Sequence, residues 1–309
     1  MTLKSIPEIH WKHFLPPFDW WDFFKDADRH VFRFDASDFD MLNAWWLVEA
    51  ATLAYSDPDV ALTTFARAGL PEVRFFDGKS TQCYVASNDD FIIVAFRGTE
   101  LRSRGEHAML YDVLTDVQLW LVPEEGGGRT HSGFKKALEE IWEDRDESGN
   151  HITGLKTYLD QLSERRSRPI WFTGHSLGAA VATLAAGRYG TARGLYTFAS
   201  PRVGDTEFRD RFSLPCYRFA NNSDIVCHFP PEGLYQHVGS LKYIDAAHRI
   251  RDVETKAPGG VLSAAFDEFL EMTAQLGKKN LFSLPGWMIQ HVPILYCVHI
   301  WNNYIQQQA

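Results

Sequence analysis

Residues 170–180 read Ile-Trp-Phe-Thr-Gly-His-Ser-Leu-Gly-Ala-Ala. An apolar run leads into Gly174-His175-Ser176-Leu177-Gly178, and an alanine-rich stretch follows. A serine hydroxyl is a weak nucleophile until a base removes its proton. Its setting decides whether it reacts. Where a strand turns sharply into a helix, the serine oxygen is pushed out at the sheet edge. Gly174 and Gly178 carry no Cβ, so strand and helix can approach closely. The amide of Leu177 then lies at a helix N-terminus, where an oxyanion can be received. The implied chemistry is acyl transfer through Ser176.

Such a serine needs a base, and the base needs a third group to hold it. With a strand–turn–helix nucleophile the chain order is serine, acid, histidine. Asp224 directly follows the strand-like run 216–220, in the turn Asn221-Asn222-Ser223-Asp224. It is the expected acid. Asp205 competes but sits farther past its strand, and the plainer use of Asp224 is to cap a turn. Among the later histidines, His228 is too close to Asp224 in sequence to come round independently. Pro293 favours the first turn of a helix, which puts His291 in the loop just ahead of it. His299 would lie about two turns into that helix. His291 is the expected base and His299 the alternative. A second oxyanion amide should come from a loop after an earlier strand. Thr99, in Arg97-Gly98-Thr99 after the apolar run Phe91-Ile92-Ile93-Val94-Ala95-Phe96, fits that place. The chemistry needs no metal and no organic cofactor.

The elements that must position these groups alternate. Helical spacing covers 39–55 and 59–69, and strand-like runs cover 72–76, 81–86 and 90–96. Helices follow over 134–144 and 152–163, then the strand and helix around Ser176. A strand closing in a turn over 194–201, strands at 216–220 and 238–244, an amphipathic helix at 259–276 and a last helix from Pro293 to about 307 complete the series. Strands alternating with helices predict one α/β domain, with a mostly parallel central sheet flanked by helices. Residues 1–38 are dense in aromatics and broken by Pro16 and Pro17. They are expected to form an arm against a catalytic domain of 39–309, packed across it or covering its substrate.

With 309 residues the chain can enclose one large core. Its 45% hydrophobic and 23% charged residues match soluble globular proteins. A net charge of -9 disfavours nucleic acid as a partner but leaves adsorption to a neutral lipid surface open. Cys83, Cys216, Cys227 and Cys297 form no CxxC pair and read as free, mostly buried thiols. No transmembrane segment is legible. The first residues lack an apolar signal core, which points to the cytoplasm unless a signal has been trimmed.

Five ordered motifs carry a family resemblance. They are Phe96-Arg97-Gly98-Thr99, His131-Ser132-Gly133-Phe134, Thr173-Gly174-His175-Ser176-Leu177-Gly178, Ser200-Pro201-Arg202-Val203-Gly204, and Asn222-Ser223-Asp224-Ile225-Val226 with Pro230-Pro231. Together they resemble the class 3 (filamentous-fungal type) lipases. The resemblance implies a single α/β-hydrolase domain and hydrolysis of carboxylic esters, typically acylglycerols, in lipid degradation. It implies Ser176 as nucleophile, Asp224 as acid, and the amides of Thr99 and Leu177 as oxyanion hole. The family often has Asp before its histidine, where this chain has Gln290. Its lid segment carries an aromatic, whereas 100–110 is largely polar here. The helix at 259–276 or the arm is then expected to cover the site. The rival readings are a non-catalytic scaffold, and an acyltransferase or phospholipase on the same fold.

Overall fold

A computed structural model describes residues 2–14, 16, 18–98, 120–144, 151–230, 232–253 and 286–308. Helices α1 (Met41–Leu53) and α2 (Pro58–Arg67) precede strands β1 (Glu72–Asp77), β2 (Gln82–Ser87) and β3 (Ile92–Phe96). A short hairpin, β4 (Leu121–Pro123) and β5 (Arg129–His131), leads to α3 (Ser132–Trp142) and α4 (Leu155–Arg165). Then come β6 (Ile170–His175), α5 (Leu177–Tyr189), β7 (Gly194–Phe198), α6 (Thr206–Arg211) and β8 (Cys216–Asn221). Strands β9 (Ser240–Ile244) and β10 (Ile250–Val253) and helices α7 (Gly286–Gln290) and α8 (Pro293–Gln307) complete the described chain.

Eight strands form one sheet in the order β1-β2-β3-β6-β7-β8-β9-β10. The run from β3 to β9 is parallel, and the antiparallel pairs are confined to the two ends. Parallel strands place their carboxyl ends on one edge. Phe96 pairs with Gly174, His175 with Phe198, and Phe198 with Phe219, so the loops after β3, β6, β7 and β8 open on the same side. Along β3, Ile93 and Ala95 face a core shared with α1 and α8, while Ile92, Val94 and Phe96 face a second core under α3, α4 and α5. A strand covered on both faces must be apolar throughout. This is the mostly parallel α/β sheet that the alternation of elements predicts, and the α/β-hydrolase arrangement that the resemblance implies.

The expected elements form, with ends shifted by a few residues. The strand expected over 238–244 begins at Ser240, and the helix expected over 39–55 begins at Met41, because the Asp40 side chain accepts the Asn43 amide at 3.0 Å and caps it. The hairpin β4–β5, the helices α6 and α7 and the strand β10 are not legible in the sequence. Each is short, and β10 carries Arg251 and Asp252 on the sheet's outer edge. The helix expected over 259–276 lies outside the described residues, as does the polar segment 100–110. The four cysteines are free and buried. Among the described residues no helix is long and apolar enough to cross a membrane.

Every residue of α1 is buried, which a helix apolar around its circumference requires. Its polar exceptions are therefore all bonded. Glu49, 0% exposed, accepts from the indole N–H of Trp21 at 2.9 Å and of Trp45 at 3.2 Å, and meets the Lys4 ammonium at 3.4 Å. The ammonium also lies over the Trp21 ring, 4.2 Å from its centroid. Lys4 joins α8 as well, since its amide donates to the Asn302 side chain at 2.7 Å. Phe18, Phe23, Phe24 and Phe32 are buried in the same core. The first residues are thus fastened to α1 through one buried carboxylate and to α8 through the Lys4 main chain. Glu49→Leu strands an ammonium and two indole donors, and breaking a buried pair from one side costs about 3–5 kcal/mol. Urea unfolding should show a loss of that order for Glu49→Leu and a smaller one for Glu49→Gln. A loss under about 1 kcal/mol in both would refute the clasp.

Candidate active site

Ser176 stands between β6 and α5 with φ 59° and ψ −130°. A residue with a Cβ rarely adopts a positive φ, and holding one there costs on the order of 1–3 kcal/mol. The surrounding chain enforces it. The Ser176 amide donates to the Phe198 carbonyl on β7 at 3.0 Å. A Cβ on Gly174 would meet the Gly178 carbonyl oxygen at 2.3 Å, and one on Gly178 would meet the Phe96 carbonyl oxygen at 2.5 Å. Only glycine lets strand, turn and helix come this close. The Leu177 amide is one of those that a helix's first turn leaves without an intrahelical partner. Thr99 lies outside the described residues. Gly98, just before it, is placed beside the turn: a Cβ there would meet the His175 carbonyl oxygen at 2.6 Å.

Three side chains from three loops meet here. His291 occupies the two-residue link between α7 and α8. Its Nε2 is 3.0 Å from Ser176 Oγ, and its Nδ1 is 3.0 Å from each Asp224 oxygen. Asp224 lies in the turn after β8, and its carboxylate is fully buried. A buried carboxylate must be met by donors. It accepts the Tyr296 hydroxyl at 2.6 Å and the Val226 amide at 3.1 Å besides His291. Burial first, and then Asp224 itself, pushes the Tyr296 hydroxyl well above its usual range, so it stays a donor. With Asp224 accepting at Nδ1, the neutral imidazole offers its bare Nε2 to the serine proton. This arrangement can make Ser176 a nucleophile and hold its proton on His291.

His175, the last residue of β6, is also buried beside His291, with ring centroids 4.7 Å apart. Its Nε2 is 2.9 Å from the His291 carbonyl oxygen and its Nδ1 is 2.9 Å from the Tyr55 hydroxyl. A carbonyl only accepts, so Nε2 carries the proton and Nδ1 accepts from Tyr55. Burial, and after it His291, holds this ring well below the usual histidine range, hence neutral.

The competing residues are placed elsewhere. Asp205 caps α6, accepting the Phe208 amide at 2.9 Å. His299 lies in the body of α8, where its ring stacks on His248 at 4.5 Å, and among the described residues neither of its nitrogens has a hydrogen-bond partner. His228 closes the turn that Asp224 begins. Gln290, where the family often has Asp, accepts the Asn221 side-chain amide on its carbonyl at 3.0 Å and so ties α7 to the end of β8. Sequence reasoning gave no role to Tyr55, His175 or Tyr296. Tyr296 follows His291 by five positions on the helix, which is the only local signal. Among the described residues no group of three or more His, Cys, Asp or Glu is placed to hold a metal ion.

Residues 93–234 match the family model described as Lipase (class 3). A Rhizomucor miehei lipase is 33% identical over 134 residues, which cover 40% of this chain and 34% of that protein. Phospholipase A1-II 1 of Oryza sativa subsp. indica is 34% identical over 195 residues, covering 56% of this chain and 47% of that protein. A crystal structure of a fungal lipase superposes with a TM-score of 0.54 at 20% identity, over 84% of this chain and 96% of that one. A Rhizomucor miehei lipase–propeptide complex superposes at 0.52 with 24% identity, over 70% of each chain. These likenesses show the fold. Residues 93–234 are thus similar to the class 3 lipases, and the chain has the α/β-hydrolase fold. It spans about a third to a half of the length of the curated relatives it matches.

The buried histidines make stability depend on acid. Burial, and then His248, holds His299 at about 4. Its unfolded form titrates near the ordinary 6.5. The folded state then binds fewer protons between these values, so stability is full above about pH 6.5 and falls as pH drops towards about 4. One such histidine contributes up to about 3 kcal/mol to that fall. His131 is held at about 4 by burial alone and acts in the same direction. Urea midpoints measured from pH 7 to pH 4.5 should fall less steeply for His299→Leu than for the wild type. Parallel curves would mean that His299 is not kept neutral by the fold.

Proposed function

We propose that the protein is a serine carboxylic-ester hydrolase, a lipase cleaving acylglycerol esters. The observation that carries the reading is the chain of hydrogen bonds from Ser176 Oγ through both nitrogens of His291 to Asp224. His291 Nε2 takes the serine proton while Oγ attacks the ester carbonyl carbon. The tetrahedral oxyanion is received by the amides of Leu177 and Thr99. The C–O bond of the ester then breaks, the alcohol leaves with the proton held on His291, and an acyl group remains on Ser176. Water, deprotonated by His291, attacks that ester and frees the acid. Asp224 holds the imidazole in the required tautomer and balances its positive charge during both steps. Residues 39–309 form the catalytic unit in this reading, with 1–38 as an arm.

The relatives support the substrate class. A secreted mono- and diacylglycerol lipase of Gibberella zeae, 26% identical over 171 residues, stands beside the Rhizomucor miehei lipase among them. A lipid–water interface is the setting in which such an ester is met. Trp120 at 66% and Leu234 at 65% exposure offer apolar area to one. The phospholipase relatives favour a second reading, cleavage of one acyl chain of a phospholipid by the same triad.

Ser176→Ala should abolish p-nitrophenyl butyrate hydrolysis while leaving the far-UV spectrum unchanged. His291→Ala should lose at least about 10³-fold in kcat, as removal of a triad base does, while His299→Leu keeps activity. Turnover surviving in Ser176→Ala, or loss in His299→Leu but not His291→Ala, would contradict the assignment. A panel of triacylglycerol, diacylglycerol and phosphatidylcholine separates the two substrate readings.

A further inference from the structure

We infer that Tyr55 and His175 are positioning residues that hold His291 through its main-chain carbonyl. The inference rests on His291 being the base of the proposed reaction. Tyr55 lies just past the end of α1, buried, with Phe18 of the aromatic arm packed edge-on against its ring at 6.2 Å. Its hydroxyl reaches His175 Nδ1 at 2.9 Å. His175 in turn donates from Nε2 to the His291 carbonyl at 2.9 Å. His291 sits in a link only two residues long, and its own amide is bonded back to the Met288 carbonyl at 3.1 Å. The bond from His175 thus ties the main chain of this link to the strand bearing the nucleophile.

The direction of each bond follows from the groups. The His291 carbonyl cannot donate, so the bond exists only for the tautomer of His175 protonated at Nε2. That tautomer leaves Nδ1 bare inside the core. A bare buried acceptor is costly unless a donor meets it. The Tyr55 hydroxyl is that donor. Without it, the Nδ1–H tautomer competes, and its Nε2 lone pair faces a carbonyl oxygen. The grip on His291 is then lost, although no atom of the triad has changed. The same hydroxyl has a second neighbour: a Cβ on Gly98 would lie 2.0 Å from it. Tyr55 therefore abuts the residue before Thr99 as well as steering the base. A neutral His175 also matters for the chemistry, because a cation 4.7 Å from His291 would oppose the imidazolium formed during reaction.

Three variants test this. Tyr55→Phe removes one hydroxyl and nothing else. His175→Leu removes the donor to the carbonyl. His175→Gln restores it, since the glutamine amide nitrogen lies about where the imidazole Nε2 does. A base displaced by about 1 Å can cost on the order of 10²-fold. We expect about that loss of kcat in His175→Leu, about a tenth of that loss in Tyr55→Phe, KM unchanged within about twofold, and part of the loss recovered in His175→Gln. The second readout needs no substrate. The low-field proton NMR signal of His291 Nδ1–H, present in the wild type, should broaden or shift in Tyr55→Phe and His175→Leu and return in His175→Gln. An active wild type with kcat and the NMR signal unchanged in all three variants overturns the positioning role. An inactive wild type whose His291 signal still responds to Tyr55→Phe overturns the proposed hydrolysis and leaves the positioning intact. Should His175→Leu fail to fold, the Tyr55→Phe measurements decide alone.

Discussion

The site depends on one backbone constraint, the reversal of the chain at Ser176. A strand ends and a helix begins with no intervening loop, and a residue that carries a Cβ is held at φ 59°. That conformation is unfavourable by itself and persists because neighbours over-determine it. Gly174 and Gly178 interlock at distances that no side chain would tolerate, and β7 takes the serine amide. The strain directs the hydroxyl outward at the carboxyl edge of the sheet and leaves the next amide without an intrahelical partner. Parallel pairing then does the rest of the assembly. Because β3 to β9 all run the same way, every loop that follows a strand reaches that same edge.

A second constraint is electrostatic. Asp224 is an ionisable group with no exposed surface, and a carboxylate taken out of water must be compensated. Its donors come from a turn amide, from Tyr296 on α8 and from His291 at the entrance to α8. The same helix thus supplies the acid's counter-donor and aims the base. Tyr296 also accepts the Asn221 amide at 3.0 Å, which ties α8 to the end of β8. Acid, base and helix are consequently one unit of hydrogen bonds, and Lys4, held by the buried Glu49, ties the far side of α8 to α1.

How much of this the sequence discloses follows from how local each signal is. The Ser176 turn is legible because its glycines are within two residues of it. Asp224 is legible because a polar turn directly follows an apolar run, and His291 because Pro293 marks a helix start two residues on. The structure brings these three together. The supporting groups are not legible in the same way. Tyr55 meets His175 across 120 residues and Tyr296 meets Asp224 across 72, and no periodicity encodes such pairings. Helix α7 escapes because Gly286-Trp287-Met288-Ile289-Gln290 is too short to show a period. The hairpin closed by residues 124–128 shows only once β4 and β5 are seen paired. Composition alone allows residues 1–38 either to pack across the domain or to cover its substrate. Packing gathers Phe14 into one apolar cluster with Ile225, Val226, Met288 and Val292, near Asp224 and His291 in the chain.

The central claim is that Ser176 is the one hydroxyl activated for attack on an acyl carbon. An alkyl fluorophosphonate, which phosphorylates an activated serine and mimics the tetrahedral intermediate, tests it directly by intact mass and peptide mapping. The account predicts a single adduct per chain, located on Ser176, with ester hydrolysis lost in proportion to labelling. Adducts on other residues with Ser176 unmodified, or full hydrolysis after Ser176 is labelled, would contradict it.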